Sequence, residues 1–275
     1  MKCFGITDIG KKRNNNQDSF GIRMLSEDCY ILAVCDGMGG ANGGEIASSK
    51  AIEKFLSVCE REITPESSDD DIRESLFVAV EEANREVYAH SQYSEELRGM
   101  GTTLVAALVR DNGMDLDSID HDVKTYAPDG EAPVTPEPEA CVGIFTANVG
   151  DSRAYVSTGG ALTQITKDHS YVQYLIDKGE LKPEKAANHP KRNIIMKAIG
   201  VDSTVIPDID KTLITDKEKT YILLSSDGLY SEMKNSDIQK IIHSDKSLEE
   251  KCEALITLAN KKGGSDNITA VLLEL

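Results

Sequence analysis

One stretch of the sequence constrains the fold more than any other: an apolar run that ends in an aspartate and a glycine-rich turn. Residues 30–44 have the sequence YILAVCDGMGGANGG, with five glycines in residues 37–44. The apolar run predicts a buried strand. Asp36 lies where this strand leaves the core. Gly37 allows a sharp turn and lets a main-chain carbonyl approach whatever Asp36 binds.

The same pattern returns near the C-terminus, where residues 221–228 have the sequence YILLSSDG. Asp151 also follows an apolar strand, and Asp18 and Asp266 each precede one. If these strand ends meet, the carboxylates raise one another's pKa, and a hard divalent cation such as Mg²⁺ or Mn²⁺ relieves the repulsion. Asp-Gly is also ordinary turn chemistry. Spacing alone therefore leaves open both a shared metal site and a set of unrelated turns.

A pair of such ions about 3.5–4 Å apart can activate a water molecule for attack on phosphorus. This chemistry hydrolyses a phosphate ester without a covalent enzyme intermediate. An arginine beside the carboxylates would bind the phosphoryl oxygens, and Arg13, five residues before Asp18, is the candidate. The alternative for Arg13 is a solvated loop residue. His169 and His189 are isolated in the sequence, so no His/Cys cluster favours zinc.

The composition excludes several classes of function. Asp and Glu number 47 against 30 Lys and Arg, and the net charge of −17 argues against nucleic-acid binding and against anionic membranes. Six cysteines without a CxxC pair indicate reduced, mostly buried thiols. The N-terminus lacks a signal-like apolar core, and no run approaches the ~18–20 apolar residues of a membrane span. We therefore expect a cytoplasmic protein without membrane insertion.

Periodicity predicts two pairs of amphipathic helices and many strands in one domain, residues 1–275. Capping signals lie at Ser68, Ser170, Ser236 and Ser247. Helices are predicted at 44–61, 72–91, 170–179, 236–243 and 247–262. Strands are predicted at 2–9, 20–24, 30–35, 104–109, 141–149, 153–157, 161–165, 204–210, 220–225 and 268–275. Helix pairs with strands outside strict βαβ alternation predict an α+β fold, in which the helices cover antiparallel sheets.

Residues 111–139 differ in character from the rest. They carry nine acidic residues, one base (Lys124) and four prolines. This composition indicates a solvated, partly disordered insertion with a small hairpin around 121–127. It is either a tolerated surface loop or a docking arm for a partner. A calcium loop at Asp115, Asp117 and Asp120 is discounted, because the required glycine and distal glutamate are missing.

Seven short motifs occur in an order that resembles the metal-dependent protein phosphatases, the protein phosphatase 2C family, in their bacterial form. The resemblance extends over residues 2–275 apart from the insertion 111–139. The motifs are Arg13 with Asn16-Gln17-Asp18-Ser19, Val34-Cys35-Asp36-Gly37-Met38-Gly39-Gly40, Gly101-Thr102-Thr103, Val149-Gly150-Asp151-Ser152-Arg153, Asp168-His169-Ser170, Ser226-Asp227-Gly228-Leu229 and Ser265-Asp266-Asn267.

The resemblance implies a β-sandwich of two antiparallel sheets with helix pairs outside both, in four α-β-β-α layers. It implies hydrolysis of phosphoserine and phosphothreonine in proteins by a metal-bound water at a binuclear Mn²⁺ or Mg²⁺ site. The partners would be phosphorylated proteins, among them substrates of a bacterial Ser/Thr kinase, and the chain would be a monomer that binds no nucleic acid. The alternative is an inactive regulatory binding module with the same fold. The complete aspartate set favours the enzyme.

The resemblance also assigns metal-binding residues. Asp36 would bridge the two ions, and the carbonyl of Gly37 would bind one of them. Asp227 and Asp266 would complete the shell of the other ion. Asp18 would hold metal-bound water. The catalytic residues would therefore be Asp18, Asp36 and the phosphate-binding Arg13.

Further roles follow from the same resemblance, together with two departures from it. Asp151 with Asp227 would hold a third, weaker ion, and Arg13 would bind the substrate phosphate. Residues 170–193 would form a mobile flap beside the site. Gln17 stands where many eukaryotic members have an acid, so we do not expect it to bind metal. Met38 replaces a histidine that is proposed as a general acid in those members, and a thioether cannot transfer a proton.

Overall fold

The computed structural model describes residues 1–39, 43–93, 95–111, 124–126 and 141–275. Its strands are β1 (Lys2–Asp8), β2 (Asp18–Ser26), β3 (Cys29–Met38), β4 (Gly101–Thr102), β5 (Leu104–Arg110), β6 (Lys124–Tyr126), β7 (Val142–Val149), β8 (Arg153–Thr158), β9 (Ala161–Gln164), β10 (Asp208–Ile214), β11 (Tyr221–Ser225) and β12 (Ile268–Glu274). Its helices are α1 (Gly43–Glu62), α2 (Asp69–Ser91), α3 (Tyr171–Asp177), α4 (Pro183–Ala186), α5 (Asp227–Tyr230), α6 (Asn235–Ile242) and α7 (Leu248–Lys262), with a 3-10 turn at Glu95–Leu97.

These strands form two sheets that pack face to face. Sheet A has the order β1-β12-β11-β8-β9, and sheet B has the order β2-β3-β5-β7-β10-β6, with β4 pairing the end of β3. Among the strands of the described residues, all pairings are antiparallel except that of β6 with β10. The strands that lead into Asp36 and Asp227 therefore lie in different sheets, β3 in sheet B and β11 in sheet A.

Side chains of β3 alternate between two cores. Ile31, Ala33 and Cys35 pack against helices, whereas Leu32 and Val34 pack between the sheets. Successive side chains of a strand point to opposite faces, so a strand between two cores requires an unbroken apolar run. The prediction of a buried strand at this position is confirmed.

A helix pair covers the outer face of each sheet. Phe55 of α1 and Leu76 of α2 belong to the core on sheet B, while Ile238 of α6 and Leu255 of α7 belong to the core on sheet A. Full burial of one such side chain contributes about 1.5–3 kcal/mol. The layers follow in the order α-β-β-α, so the predicted four-layer α+β sandwich is confirmed.

The capping predictions have mixed outcomes. Ser68 and Ser247 each form a full capping box, in which the serine hydroxyl accepts from the third helical N–H and the acid there binds the serine N–H. Ser170 forms only half a box, because the amide of Gln173 donates to Asp177 instead. The predicted cap at Ser236 is wrong. The helix begins one residue earlier, after Lys234, whose side chain makes no capping bond.

Two strand predictions also need correction. β10 lies four residues later than the predicted 204–210, because the buried part of the strand is Lys211–Ile214. The hairpin predicted at 121–127 lies mostly outside the described residues, and Lys124–Tyr126 pairs in parallel with β10 rather than with a neighbouring strand of its own. The Ca²⁺-like residues 115–120 also lie outside the described part of the chain.

Candidate metal centre

Five aspartates from both sheets meet at one end of the sandwich. Asp18 and Asp36 are register partners at the ends of β2 and β3 in sheet B. Asp227 is the first residue of α5, directly after β11. Asp266 precedes β12, and Asp151 lies between β7 and β8. The structure therefore brings together every aspartate that the sequence singled out for this site.

Two glycines allow the aspartate-bearing segments to pack closely. A Cβ on Gly37 would lie 2.1 Å from the carbonyl oxygen of Gly44 and 2.5 Å from that of Gln17. A Cβ on Gly228 would lie 2.0 Å from the carbonyl oxygen of Asn267. Both contacts are with backbone, which cannot move aside as a flexible side chain does. Glycine after Asp36 lets this turn approach the segment before β2, and glycine after Asp227 lets the turn after β11 approach the segment before β12.

Asp18 is held by hydrogen bonds through one of its two carboxylate oxygens. Its Oδ2 accepts hydrogen bonds of 2.6 Å from the hydroxyls of Ser226 and of Thr269, both contributed by sheet A and its connections. Its Oδ1 is buried and has no hydrogen-bond partner among the described residues. A buried carboxylate oxygen without a partner is costly. It is therefore a ready acceptor for a cation or for water held by one.

Burial and mutual repulsion raise the pKa of the carboxyl groups. Burial is the largest cause in each case. It raises the pKa of Asp18 to about 7, assisted by Asp227 and Asp266, and the pKa of Asp151 to about 7, assisted by Asp227. The pKa of Asp227 rises to about 6, with Asp266 as the second cause. The pKa of Asp36 rises well above its usual range, because burial is joined by repulsion from the other four acids.

Arg13 lies at the mouth of this cluster. Its Nη2 donates to Oδ2 of Asp266 at 2.6 Å, and its side chain is about half exposed (49%). The other oxygen of Asp266, Oδ1, accepts from the backbone N–H of Asn267 at 2.8 Å. Both oxygens of this carboxylate therefore have a protein partner, and Arg13 neutralises its charge.

The residues present fit a hard divalent cation. The donors are carboxylate oxygens, with no histidine or cysteine among them. Asp36, Asp227 and Asp266 are partly exposed, which leaves a path for an ion. No three acidic, His or Cys side chains in the described ranges are already arranged as a ligand set. The carboxylates repel one another, and Asp266 is paired with Arg13. Binding an ion would therefore require the carboxylates to move closer together.

A second layer of residues supports the site and was not assigned a role from the sequence. Arg153 is clamped by Asp168, with its Nε 2.9 Å from Oδ1 and its Nη2 2.7 Å from Oδ2. Its guanidinium lies 3.6 Å from the centre of the Tyr230 ring. The hydroxyl of Tyr230 donates to the carbonyl of Asp151 at 2.9 Å. Arg153 and Asp168 stand in two of the quoted motifs, but only the fold shows that they meet behind Asp151 and Asp227.

His169 belongs to the same supporting layer. Its Nδ1 accepts from the backbone N–H of Gly150 at 3.1 Å, and its Nε2 lies 3.1 Å from Asp208. Burial lowers the pKa of His169. These contacts hold the turn before Asp151 in place, so His169 has a structural role here.

A cavity of about 530 Å³ opens beside Asp227. One wall comes from the flap, defined as residues 170–193, which contains α3 and α4. The opposite wall comes from the turn after β11 and from the segment before β12. The lining residues on the two walls include Arg192, Asn193, Asp227, Tyr230, Glu232 and Ser265.

No helix in the described ranges has the length and apolar character needed to cross a membrane.

Comparison with known proteins points to one family. A family model described as protein phosphatase 2C matches residues 10–119. The serine/threonine phosphatase stp of Listeria monocytogenes serotype 4b (strain F2365) is 34% identical over 268 residues, which cover 98% of this chain and 93% of the relative.

Solved structures agree in fold as well as in sequence. The structure of the S. agalactiae serine/threonine phosphatase has a TM-score of 0.80 and 34% identity, covering 100% of this chain and 99% of that one. The catalytic domain of the phosphatase PstP, in complex with two manganese ions, has a TM-score of 0.72 and 30% identity, covering 98% and 96%. Identity above 30% along nearly the whole length shows that this chain belongs to the protein phosphatase 2C family.

Proposed function

We propose that this chain is a metal-dependent serine/threonine protein phosphatase, formed by one domain over residues 1–275. The observation that carries the proposal is the meeting of Asp18, Asp36, Asp227 and Asp266 from two sheets at one opening. Such a cluster is unstable by itself, because burial and repulsion both oppose its charge. A site that retains these carboxylates is suited to binding cations, and the PstP structure contains two manganese ions.

The metal ligands we propose are those that the family resemblance implies. Asp36 would contact both ions, with the carbonyl of Gly37 on one and Asp227 with Asp266 on the other. Asp18 would act on the water of this site, and Asp151 with Asp227 would take a third ion. Either Mn²⁺ or Mg²⁺ suits these oxygen donors. When bound, the ions supply a water molecule activated for attack and neutralise charge on the phosphoryl group.

The chain's own residues orient the reactants. Ser226 and Thr269 hold Oδ2 of Asp18, and Oδ1 is buried without a hydrogen-bond partner among the described residues. Arg13 would bind two phosphoryl oxygens through its planar guanidinium once it is released from Asp266. Met38 at the end of β3 carries no proton, so the leaving oxygen must be protonated by another group of the site or by solvent.

The direct test is hydrolysis of a phosphothreonine peptide with Mn²⁺, with Mg²⁺ and with a chelator. We expect turnover only with an added divalent ion. Asp36→Asn should reduce kcat at least 100-fold, whereas Asp210→Asn, at an exposed position of β10, should have no effect. Equal turnover in chelator, or none with either ion, would exclude the proposed chemistry. Complete inactivity with retained binding of a partner protein would favour the regulatory-module alternative.

The proposal extends to cellular role. Phosphorylated proteins are the substrates, and the products of a bacterial Ser/Thr kinase are the natural candidates. We propose a cytoplasmic monomer. Light scattering with Mn²⁺ present tests the oligomeric state, and a shift to twice the mass would overturn it.

A further inference from the structure

The flap differs in charge from the rest of the molecule. Residues 170–193 contain five Lys or Arg and three Asp or Glu, whereas the whole chain has a net charge of −17. One of the three acids, Asp177, is neutralised by Lys167 outside the flap. None of the five flap cations forms an ion pair within the described residues. The five are Lys178, Lys182, Lys185, Lys191 and Arg192.

Tyrosine rings hold two of these cations in place. The ammonium group of Lys191 lies 5.0 Å from the centre of the Tyr171 ring, and that of Lys178 lies 5.6 Å from the centre of the Tyr174 ring. A cation over an aromatic face is attracted without losing its charge. The flap therefore presents positive charge from partly fixed positions rather than from freely moving side chains.

The cavity beside Asp227 connects this positive charge to the reaction site. Its volume of about 530 Å³ is that of a ligand pocket. The flap wall contributes Arg192. The other arginine of the lining, Arg153, is already engaged by Asp168. On the facing wall, Glu232 accepts from the backbone N–H of Ser265. Among the described lining residues, the arginine without a carboxylate partner is therefore Arg192, on the flap side.

A phosphorylated protein bound at the aspartates must place its neighbouring residues in this cavity or along its rim. An extended chain advances about 3.3 Å per residue, so the nearest flanking residues stay close to the phosphate. We propose that the flap selects phosphoproteins whose phosphorylated residue is flanked by anionic residues, namely Asp, Glu or a second phosphorylated residue. This inference rests on the proposed phosphatase function and names the substrate class for the same site.

The size of the preference can be bounded. An exposed ion pair contributes about 0.2–1 kcal/mol, so two or three such contacts together give about a tenfold change in kcat/KM. Exposed contacts are screened by salt, with a Debye length of about 10 Å at 0.1 M. The preference should therefore shrink as salt is added, in contrast to a preference based on shape.

Three peptides test the inference on the Mn²⁺-loaded enzyme. They share one phosphothreonine and carry Glu, Gln or Lys at the flanking positions. We expect kcat/KM to fall in the order Glu, Gln, Lys, about tenfold from first to last at about 0.05 M salt and less than threefold at about 0.5 M. An equal kcat/KM for all three peptides, or a preference that salt does not reduce, would overturn the inference.

A pair of triple variants locates the effect. Lys182→Gln/Lys191→Gln/Arg192→Gln, which removes the cavity-lining cation Arg192 and two of its neighbours on the flap, should remove most of the difference between the Glu and Lys peptides. The matched control, Lys240→Gln/Lys246→Gln/Lys261→Gln, changes three exposed lysines on the outer face of sheet A and should retain it. The same loss in both triples would mean that net charge, not the flap, causes the preference.

Two readouts separate this inference from the proposed function. If wild-type enzyme hydrolyses p-nitrophenyl phosphate with Mn²⁺ but treats the three peptides alike, the flap inference fails and the phosphatase function stands. If nothing is hydrolysed, the phosphatase function fails. Fluorescence anisotropy of the same labelled peptides with Asp36→Asn then decides the flap inference. Tighter binding of the Glu peptide supports it, and equal binding refutes it.

Discussion

The buried carboxyl group of Asp151 makes a prediction about the metal-free protein. Its side chain is almost fully enclosed (5% exposed), and burial with repulsion from Asp227 raises its pKa from 3.8 to about 7. A carboxyl whose pKa is higher in the folded state contributes most to stability below its unfolded pKa. That stability is lost as pH rises through the folded pKa. Without metal, the destabilisation by Asp151 should therefore grow as pH rises from about 4 to about 7 and stay at its full size above that.

The shift gives the size of the effect. At 1.36 kcal/mol per pKa unit, the rise from 3.8 to about 7 corresponds to roughly 4 kcal/mol at pH 8. Near pH 4.5 the same relation gives a destabilisation of about 1 kcal/mol. Asparagine has no charge to bury but keeps a polar group, so we expect Asp151→Asn to recover about half of this amount. For a domain of this size, a gain of about 2 kcal/mol raises Tm by roughly 4–8 °C.

Thermal and urea unfolding in chelator, at pH 4.5 and pH 8, measure the effect. Asp151→Asn should be more stable than wild type at pH 8, with little difference at pH 4.5. Asp210→Asn, which removes an exposed carboxylate, should change neither value by more than about 0.5 kcal/mol. A variant that is no more stable than wild type at pH 8 would refute the reasoning. An equal gain at both pH values would also refute it, because the gain would then not depend on ionisation.

Three further changes probe the site. Gly37→Ala places a Cβ 2.1 Å from the Gly44 carbonyl oxygen. We expect the free energy of unfolding in urea to fall by at least about 3 kcal/mol, and Mn²⁺ should no longer stabilise the protein. Thr269→Val removes a 2.6 Å bond to Asp18. It should cost about 1–3 kcal/mol of stability and lower kcat, measured on a phosphothreonine peptide. Arg153→Met removes the positive charge that lowers the pKa of Asp151 and of Asp227. Calorimetry should show that this variant binds Mn²⁺ about tenfold more weakly, and Arg153→Lys should recover part of the affinity.

Each of these has an outcome that would contradict it. Gly99→Ala is the control for Gly37, because a Cβ there meets nothing within 4 Å although φ is +78°. It should cost only about 1 kcal/mol, and an equal loss in both would remove the steric argument. Unchanged kcat in Thr269→Val would show that Asp18 is held by Ser226 alone. Unchanged Mn²⁺ affinity in Arg153→Met would show that Arg153 acts on folding only.

Local signals predicted much of this architecture. The apolar run before Asp36 predicts its own burial, because a strand between two cores must be apolar on both faces. The full capping boxes at Ser68 and Ser247 predict helix starts, because their bonds lie within one turn of chain. The sequence pattern predicts β10 four residues too early, since the position of this strand depends on pairing with β7, a contact between distant segments.

The site shows the same division between local and distant information. The Asp-Gly pairs single out Asp36 and Asp227 because sharp turns leave a local pattern. Their assignment to one metal site comes from the family resemblance. Sequence patterns do not predict the contact of Arg153 with Asp168 and Tyr230, because these residues meet only after three separate segments have folded together. The one-turn helix that begins at Asp227 was also missed, since four residues carry no periodicity to detect.

The division of the site between two sheets has a consequence for the lifetime of the folded protein. Asp18 and Asp36 belong to sheet B, whereas Asp227 and Asp266 belong to the strand ends of sheet A. Ions held by both sets would join the sheets as a cross-link does, and a ligand bound only by the folded state stabilises it in proportion to the logarithm of its concentration. Metal starvation would then act twice, by stopping turnover and by opening the sandwich at this end. Amide hydrogen exchange in β2 and β12 would detect that opening before any loss of the helices.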